Sequence, residues 1–134
     1  MKQLLVYLIF NGECREALDF YAHCLNGKIT TIQTFEESPL AIKNEFKDYI
    51  FDSELQAGEV ILKASDSFPE NKIVTGSNFS IFVTYTIERE LRATYQKLQE
   101  GGKVIMELSE KEGEGRFCMV KDKFDIQWML TLTT

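Results

Sequence analysis

At 134 residues, with 44% hydrophobic and 27% charged side chains, the chain has the size and balance of one soluble domain. A net charge of −6, with no basic stripe carrying interleaved aromatics, excludes nucleic acid as a partner. No apolar run approaches the roughly 18 residues of a membrane span. The cysteines Cys14, Cys24 and Cys118 have no metal-type spacing and read as reduced thiols of a cytoplasmic protein.

Gln3–Phe10 is an almost unbroken apolar run, as expected of a strand covered on both faces, and with no small-residue cleavage site it does not read as a signal peptide. Asn11-Gly12 breaks it. A helix follows from about Glu13 to Leu25, with Cys14, Ala17, Leu18, Tyr21, Ala22 and Leu25 at helical spacing on one apolar face. His23 lies off that face and reads as a solvated residue. Asn26-Gly27 supplies the left-handed stop. Lys28–Phe35 is a strand, and polar Glu36–Lys47 a loop with room for a short helical turn. Tyr49–Gln56 and Glu59–Ser65 flank Ala57-Gly58 as a hairpin.

Asp66–Asn78, with Pro69 among Ser, Asn and Gly, marks a connector between a first module (1–65) and a second (79–134). Phe79–Tyr85 is a strand. Thr86 is placed to cap a helix that has Glu88 and Glu90 near its positive end and Leu91, Thr94, Tyr95 and Leu98 on its buried face. Gly101-Gly102 ends that helix, Lys103–Leu108 is a strand and Ser109–Glu114 a charged loop. Gly115–Val120 and Ile126–Leu132 form a second hairpin. Each half therefore reads strand, helix, strand, strand, strand, and the 75-residue offset from Gly27-Lys28 to Gly102-Lys103 marks a duplicated unit.

Four segments, in order, resemble a known family. Asn11-Gly12-Glu13-Cys14-Arg15-Glu16-Ala17-Leu18-Asp19-Phe20-Tyr21 resembles the first strand-to-helix joint of PhnB-like proteins, in the vicinal oxygen chelate superfamily of glyoxalase I, bleomycin-resistance proteins and extradiol dioxygenases. Ser65-Asp66-Ser67-Phe68-Pro69 resembles the start of that family's linker. Gly115-Arg116-Phe117 and Asp122-Lys123-Phe124-Asp125-Ile126-Gln127-Trp128-Met129-Leu130 resemble its closing hairpin. The resemblance implies an α+β fold of two βαβββ modules, their mixed sheet curled around a cavity, in a homodimer. Some relatives carry a demethylubiquinone methyltransferase label, but this chain has no Gly-rich strand-to-helix turn of the nucleotide-binding kind.

Superfamily enzymes hold a divalent metal with His and Glu from four strands. The implied positions are Val6, Leu62, Ser80 and Met129, none of them a ligand of that type, so no metal or other cofactor is expected. If these four face the cavity, alternation adds Leu4, Leu8, Val60, Ala64, Phe82, Thr84, Gln127 and Thr131. That lining suits a small apolar or aromatic molecule, unless the side chains simply fill a core. Trp128, on the opposite face, is expected beneath the helices. Asp52 and Glu54, two apart on one strand, can bind a cation or share a proton, or else make a polar strand face. Arg116 can clamp a carboxylate or hold a neighbouring loop. Cys118 shares its side but has no histidine to activate it. Three functions stay open: a metal-free binder of a small apolar or aromatic molecule, an enzyme using Asp52, Glu54 or Arg116, and a structural dimer without ligand.

Overall fold

The computed structural model describes residues 1–108 and 116–133, and the charged loop expected over 109–114, with Gly115, lies outside them. The chain forms two compact units, Met1–Val74 and Thr75–Thr134. In unit 1 the elements are β1 (Val6–Phe10), α1 (Cys14–Leu25), β2 (Lys28–Thr34), a 3-10 turn (Asn44–Phe46), β3 (Ile50–Ala57) and β4 (Val60–Asp66). Its open sheet has the order β1-β4-β3-β2, with β1 parallel to β4 and the other pairs antiparallel. Unit 2 contains β5 (Ile81–Tyr85), α2 (Glu88–Leu98), β6 (Lys103–Met106), β7 (Phe117–Lys121) and β8 (Gln127–Leu132). Its sheet repeats the pattern as β5-β8-β7-β6, again with the first pair parallel. The α+β fold of two βαβββ modules is thus observed.

Each helix covers one face of its own sheet. In unit 1 the buried side chains are Cys14, Ala17, Leu18, Phe20, Tyr21 and Cys24 of α1, with Leu8, Phe10, Leu55, Leu62 and Ala64 from the strands. Phe20 and Cys24 thus replace Ala22 and Leu25 on the expected face, since the buried stripe is turned by about one residue. In unit 2, Leu91, Thr94 and Leu98 of α2 are buried with Ile81, Val83, Cys118, Val120, Trp128 and Leu130. Burial of this kind stabilises by about 25 cal/mol per Å² of apolar area.

The glycines of the repeat act through close approach. A Cβ on Gly27 would stand 3.0 Å from the Gln56 carbonyl oxygen, and one on Gly102 would stand 2.9 Å from Asp122 Cα. The left-handed stop of α1 is Asn26 (φ 53°), not the glycine after it.

Three local expectations are corrected. β1 starts at Val6 rather than Gln3, and it is not covered on both faces, because Tyr7 and Ile9 are 44% and 45% exposed. Thr86 does not cap α2, whose N-cap is Ile87 with no side-chain bond. Asp66 ends β4 instead of opening a connector, and residues after it fold back: Ser67 N–H donates to the Phe10 carbonyl at 2.8 Å and Ile73 N–H to Asn11 Oδ1 at 3.1 Å.

Candidate functional site

The face of each sheet turned away from its helix carries the unassigned chemistry. In unit 1, alternation sends Leu8 and Phe10 toward α1, and Tyr7 and Ile9 the other way. Parallel pairing puts Tyr7 beside Lys63 and Ile9 beside Ser65, and antiparallel pairing puts Glu54 beside Lys63. The open face therefore presents Tyr7, Ile9, Asp52, Glu54, Lys63 and Ser65, and the register shift between Ile50 and Asp52 turns Phe51 to the same pocket as Ile9.

A polar cluster forms there. The Tyr7 hydroxyl donates to Asp52 Oδ1 at 3.0 Å, and Lys63 Nζ donates to Asp52 Oδ2 at 3.2 Å while lying 5.9 Å from the Tyr7 ring centroid. Burial, partly opposed by a hydrogen bond with Ser65 and reinforced by Asp52, pushes the Tyr7 hydroxyl above its usual pKa. It therefore remains a neutral donor at pH 7. Glu54 Oε2 accepts from the Thr30 hydroxyl at 3.2 Å.

One step further along the same strands the face becomes apolar. Ile9, Phe35, Phe51, Phe68 and Ile73 line a pocket of about 320 Å³, with Ser65, Asp66, Ser67, Asn71 and Lys72 completing its wall. Phe35 is its buried keystone, 5.5 Å from the Phe51 ring and 5.6 Å from that of Phe68, both in tilted or edge contact. The segment that follows β4 closes the pocket, held by Asn11 as described.

Asp66 fixes the strand-to-helix joint beside it. Oδ1 accepts the N–H groups of Gly12 and Cys14, both at 2.9 Å, and Oδ2 accepts that of Ile50 at 3.0 Å. Burial raises its carboxyl pKa, although these three N–H groups and Arg15 pull the other way. The positive end of α1 thus has a carboxylate supplied by β4.

In unit 2 the open face carries Phe82 and Thr84 from β5, Phe117, Met119 and Lys121 from β7, and Gln127, Met129 and Thr131 from β8. Ser80 stands just before β5, two residues from Phe82. Gln127 Nε2 donates to the Ser77 carbonyl at 3.2 Å. Trp128 faces the helix and donates from Nε1 to Asp122 Oδ2 at 2.8 Å.

Three sequence-derived residues, Phe82, Gln127 and Met129, are thus together on one face, with Ser80 immediately before β5. Val6 and Leu62 are not on the corresponding face of unit 1. They pair with each other on the side of Leu8 and Ala64, and Leu62 is 2% exposed beneath α1. That expectation is corrected by one residue, because a continuously apolar strand does not reveal its own phase. Asp52 and Glu54 do share the open face, where Asp52 accepts from Tyr7 and Lys63 and Glu54 accepts from Thr30. Arg116 is buried and ion-paired with Glu88 in the first turn of α2. Cys118 is fully buried, its thiol pushed up to about 11 mainly by burial. His23 is exposed on α1.

Tyr7, Lys63 and Ser65 were missed, as was the phenylalanine pocket. The available signal was Lys63, a charge after the apolar run Val60-Ile61-Leu62 and two residues from Ser65. Among the described residues no three His, Cys, Asp or Glu side chains gather as a metal site. Asp52 and Glu54 already hold Lys63, Tyr7 and Thr30, so the donor set does not fit a divalent metal. Nor, among those residues, is any helix long and apolar enough to cross a membrane.

A family model described as 3-demethylubiquinone-9 3-methyltransferase matches residues 2–131. Protein PA1353 from Pseudomonas aeruginosa is 32% identical, with 98% of each chain covered and a TM-score of 0.86. A putative 3-demethylubiquinone-9 3-methyltransferase, PhnB protein, from Bacillus cereus is 22% identical, covering 98% of this chain and 100% of its own, with a TM-score of 0.79. The fosfomycin resistance protein FosX from Listeria monocytogenes shares the fold at 12% identity and a TM-score of 0.67, over 100% of this chain and 94% of its own. The fold is that of the vicinal oxygen chelate superfamily.

Proposed function

The chain belongs to the 3-demethylubiquinone-9 3-methyltransferase family, and we propose that this member is a metal-free binding protein for a small apolar or aromatic molecule. The observation that carries the reading is the pocket of about 320 Å³ lined by Ile9, Phe35, Phe51, Phe68 and Ile73. That volume is at the small end of the range for ligand sites, and its three phenylalanines and two isoleucines suit an apolar or aromatic body, with Ser65, Asp66, Ser67, Asn71 and Lys72 as polar groups on the same wall. In unit 2, Phe82 and Met129, flanked by Ser80 and Gln127, offer a second surface of the same character.

Methyl transfer from a nucleotide-type donor has little to work with at the strand-to-helix joint. The N–H groups of Gly12 and Cys14, which would face a phosphate or carboxylate there, are already bound by Asp66. An enzyme built on Arg116 is disfavoured too, since Glu88 neutralises it. The homodimer implied by the family resemblance and a cytoplasmic location are kept as parts of this proposal. Cys14, Cys24 and Cys118 are buried, and as thiols they suit a reducing compartment.

Native mass spectrometry of protein purified without added metal tests the reading in one measurement. The expected spectrum shows a dimer, no divalent metal, and a retained small organic molecule or a vacancy that naphthalene fills. Stoichiometric metal with no aromatic binding would overturn it.

A further inference from the structure

We propose that the Tyr7–Asp52–Lys63 cluster is the head-group subsite of the aromatic pocket, so that the ligand is amphipathic, with a neutral hydroxyl at one end of an apolar or aromatic body. This rests on the binding reading above and specifies its ligand class.

The two features are continuous along the strands. Ile9 and Ser65 belong to the pocket wall, while Tyr7 and Lys63 stand two residues earlier on β1 and β4. Phe51 of the wall is adjacent to Asp52 on β3. Two residues of strand span about 6–7 Å, a distance that a two-ring aromatic bridges. Ser65 joins the parts, being a pocket residue two places after Lys63 on β4.

The donors and acceptors define the head group. Asp52 uses one oxygen for Tyr7 and the other for Lys63. Lys63 has three N–H groups and spends one on Asp52, and Tyr7 Oη keeps a lone pair after donating its proton to Asp52. A ligand hydroxyl can therefore accept from Lys63 Nζ and donate to Tyr7 Oη. A carboxylate is disfavoured, because Asp52 neutralises Lys63, Glu54 lies opposite it in register, and the chain carries a net charge of −6. An ammonium head is disfavoured by Lys63 itself.

The test uses the full chain and three probes: naphthalene, 2-naphthol and 2-naphthoate, titrated by calorimetry or fluorescence at pH 7. The expected result is that 2-naphthol binds about tenfold tighter than naphthalene, the lower end for hydrogen bonds to a charged group. Lys63→Met should remove that advantage while leaving naphthalene affinity within about twofold. Tyr7→Phe, which keeps the ring, should reduce the advantage as well and carries the test if Lys63→Met fails to fold. Equal affinity for naphthalene and 2-naphthol in the wild type overturns the head-group subsite and leaves the aromatic pocket standing. Tighter binding of 2-naphthoate than of 2-naphthol overturns the neutral head group. Failure of all three probes to bind overturns the pocket and the subsite together.

Discussion

The two units repeat one topology yet anchor it at opposite ends. Tyr85 pairs with Leu132 as Phe10 pairs with Asp66, so the position that supplies the carboxylate to α1 holds a leucine in unit 2. There the first turn of the helix is steadied by Glu88 and Arg116 instead. The buried aspartate of unit 2 is Asp122, in the β7–β8 turn, where Oδ1 accepts from Phe124 N–H at 2.7 Å and Ile126 N–H at 3.2 Å and Oδ2 accepts from Trp128. Unit 1 closes the equivalent hairpin with Gly58 (φ 61°) and needs no carboxylate. The open faces differ as well: ion pair and phenol in unit 1, thioethers, phenylalanines and amide in unit 2. Backbone pairing fixes the repeat, and the polar groups that tie up loose N–H groups vary with each joint.

The largest expected effect separates the two helix-facing cores. Trp128 pairs with Ile81 as Leu62 pairs with Val6, so these two residues hold equivalent places. Trp128→Ala should destabilise by about 3–5 kcal/mol, and it also leaves Asp122 Oδ2 without its indole donor. Leu62→Ala should cost about 2–4 kcal/mol. Urea unfolding measures both. A loss below about 1 kcal/mol for Leu62→Ala would return that residue to a cavity wall, as a continuously apolar reading of β4 has it.

A middle effect concerns Asp66, which unit 2 lacks at the matching place. Asp66→Asn keeps an acceptor for Gly12 and Cys14 but turns an amide N–H₂ toward the Ile50 N–H, or the reverse. The expected cost is about 1–3 kcal/mol. The pH dependence has a definite sign. The folded-state pKa of Asp66 is raised, so between the ordinary carboxylate pKa and that raised value the folded chain binds more protons than the unfolded one. Stability from this group is fully present below the ordinary value and declines as pH rises through the raised one. The margin of wild type over Asp66→Asn should therefore shrink as pH rises from about 4. A margin that grows over that interval would mean that the three N–H groups outweigh burial.

The order of elements was legible because its signals are local. Asn26-Gly27 and Gly101-Gly102 punctuate the helices, and the same pattern restarts 75 residues on. Alternation in β8 was legible too, since Gln127 and Thr131 mark the open side and Trp128 and Leu130 the closed one. β1 and β4 gave no such marks, as Val6, Leu8, Leu62 and Ala64 look the same whichever way they point. Lys63 was the single residue that set the phase there, and it escaped notice because a long side chain can leave an apolar face by its tip. Asp66 was illegible for another reason: Gly12, Cys14 and Ile50 lie 54, 52 and 16 residues away in sequence, and only the fold brings them to one carboxylate. The phenylalanine pocket likewise gathers Ile9, Phe35, Phe51, Phe68 and Ile73 from four separate segments.

The smallest expected effect bears on how the two helices begin. A threonine two residues before an acidic first turn is the usual sign of an N-cap, and replacing a true Thr cap with Ala costs about 0.5–2 kcal/mol. Here the N-cap residue of α2, Ile87, makes no side-chain cap bond. The Ile87 carbonyl accepts from Glu90 N–H at 3.1 Å and Leu91 N–H at 3.2 Å, and Thr86 is exposed. Glu88 and Glu90 remain near the positive end, and Glu88 also meets Arg116. Thr86→Ala should therefore change stability by less than about 0.5 kcal/mol, the range of an uninvolved surface site. The same unfolding series that includes Asp66→Asn then sets the two helix starts side by side, one held by a distant carboxylate and one by its own acidic turn. A loss for Thr86→Ala near that of Asp66→Asn would restore the local cap to α2 and erase the difference between the units at this joint.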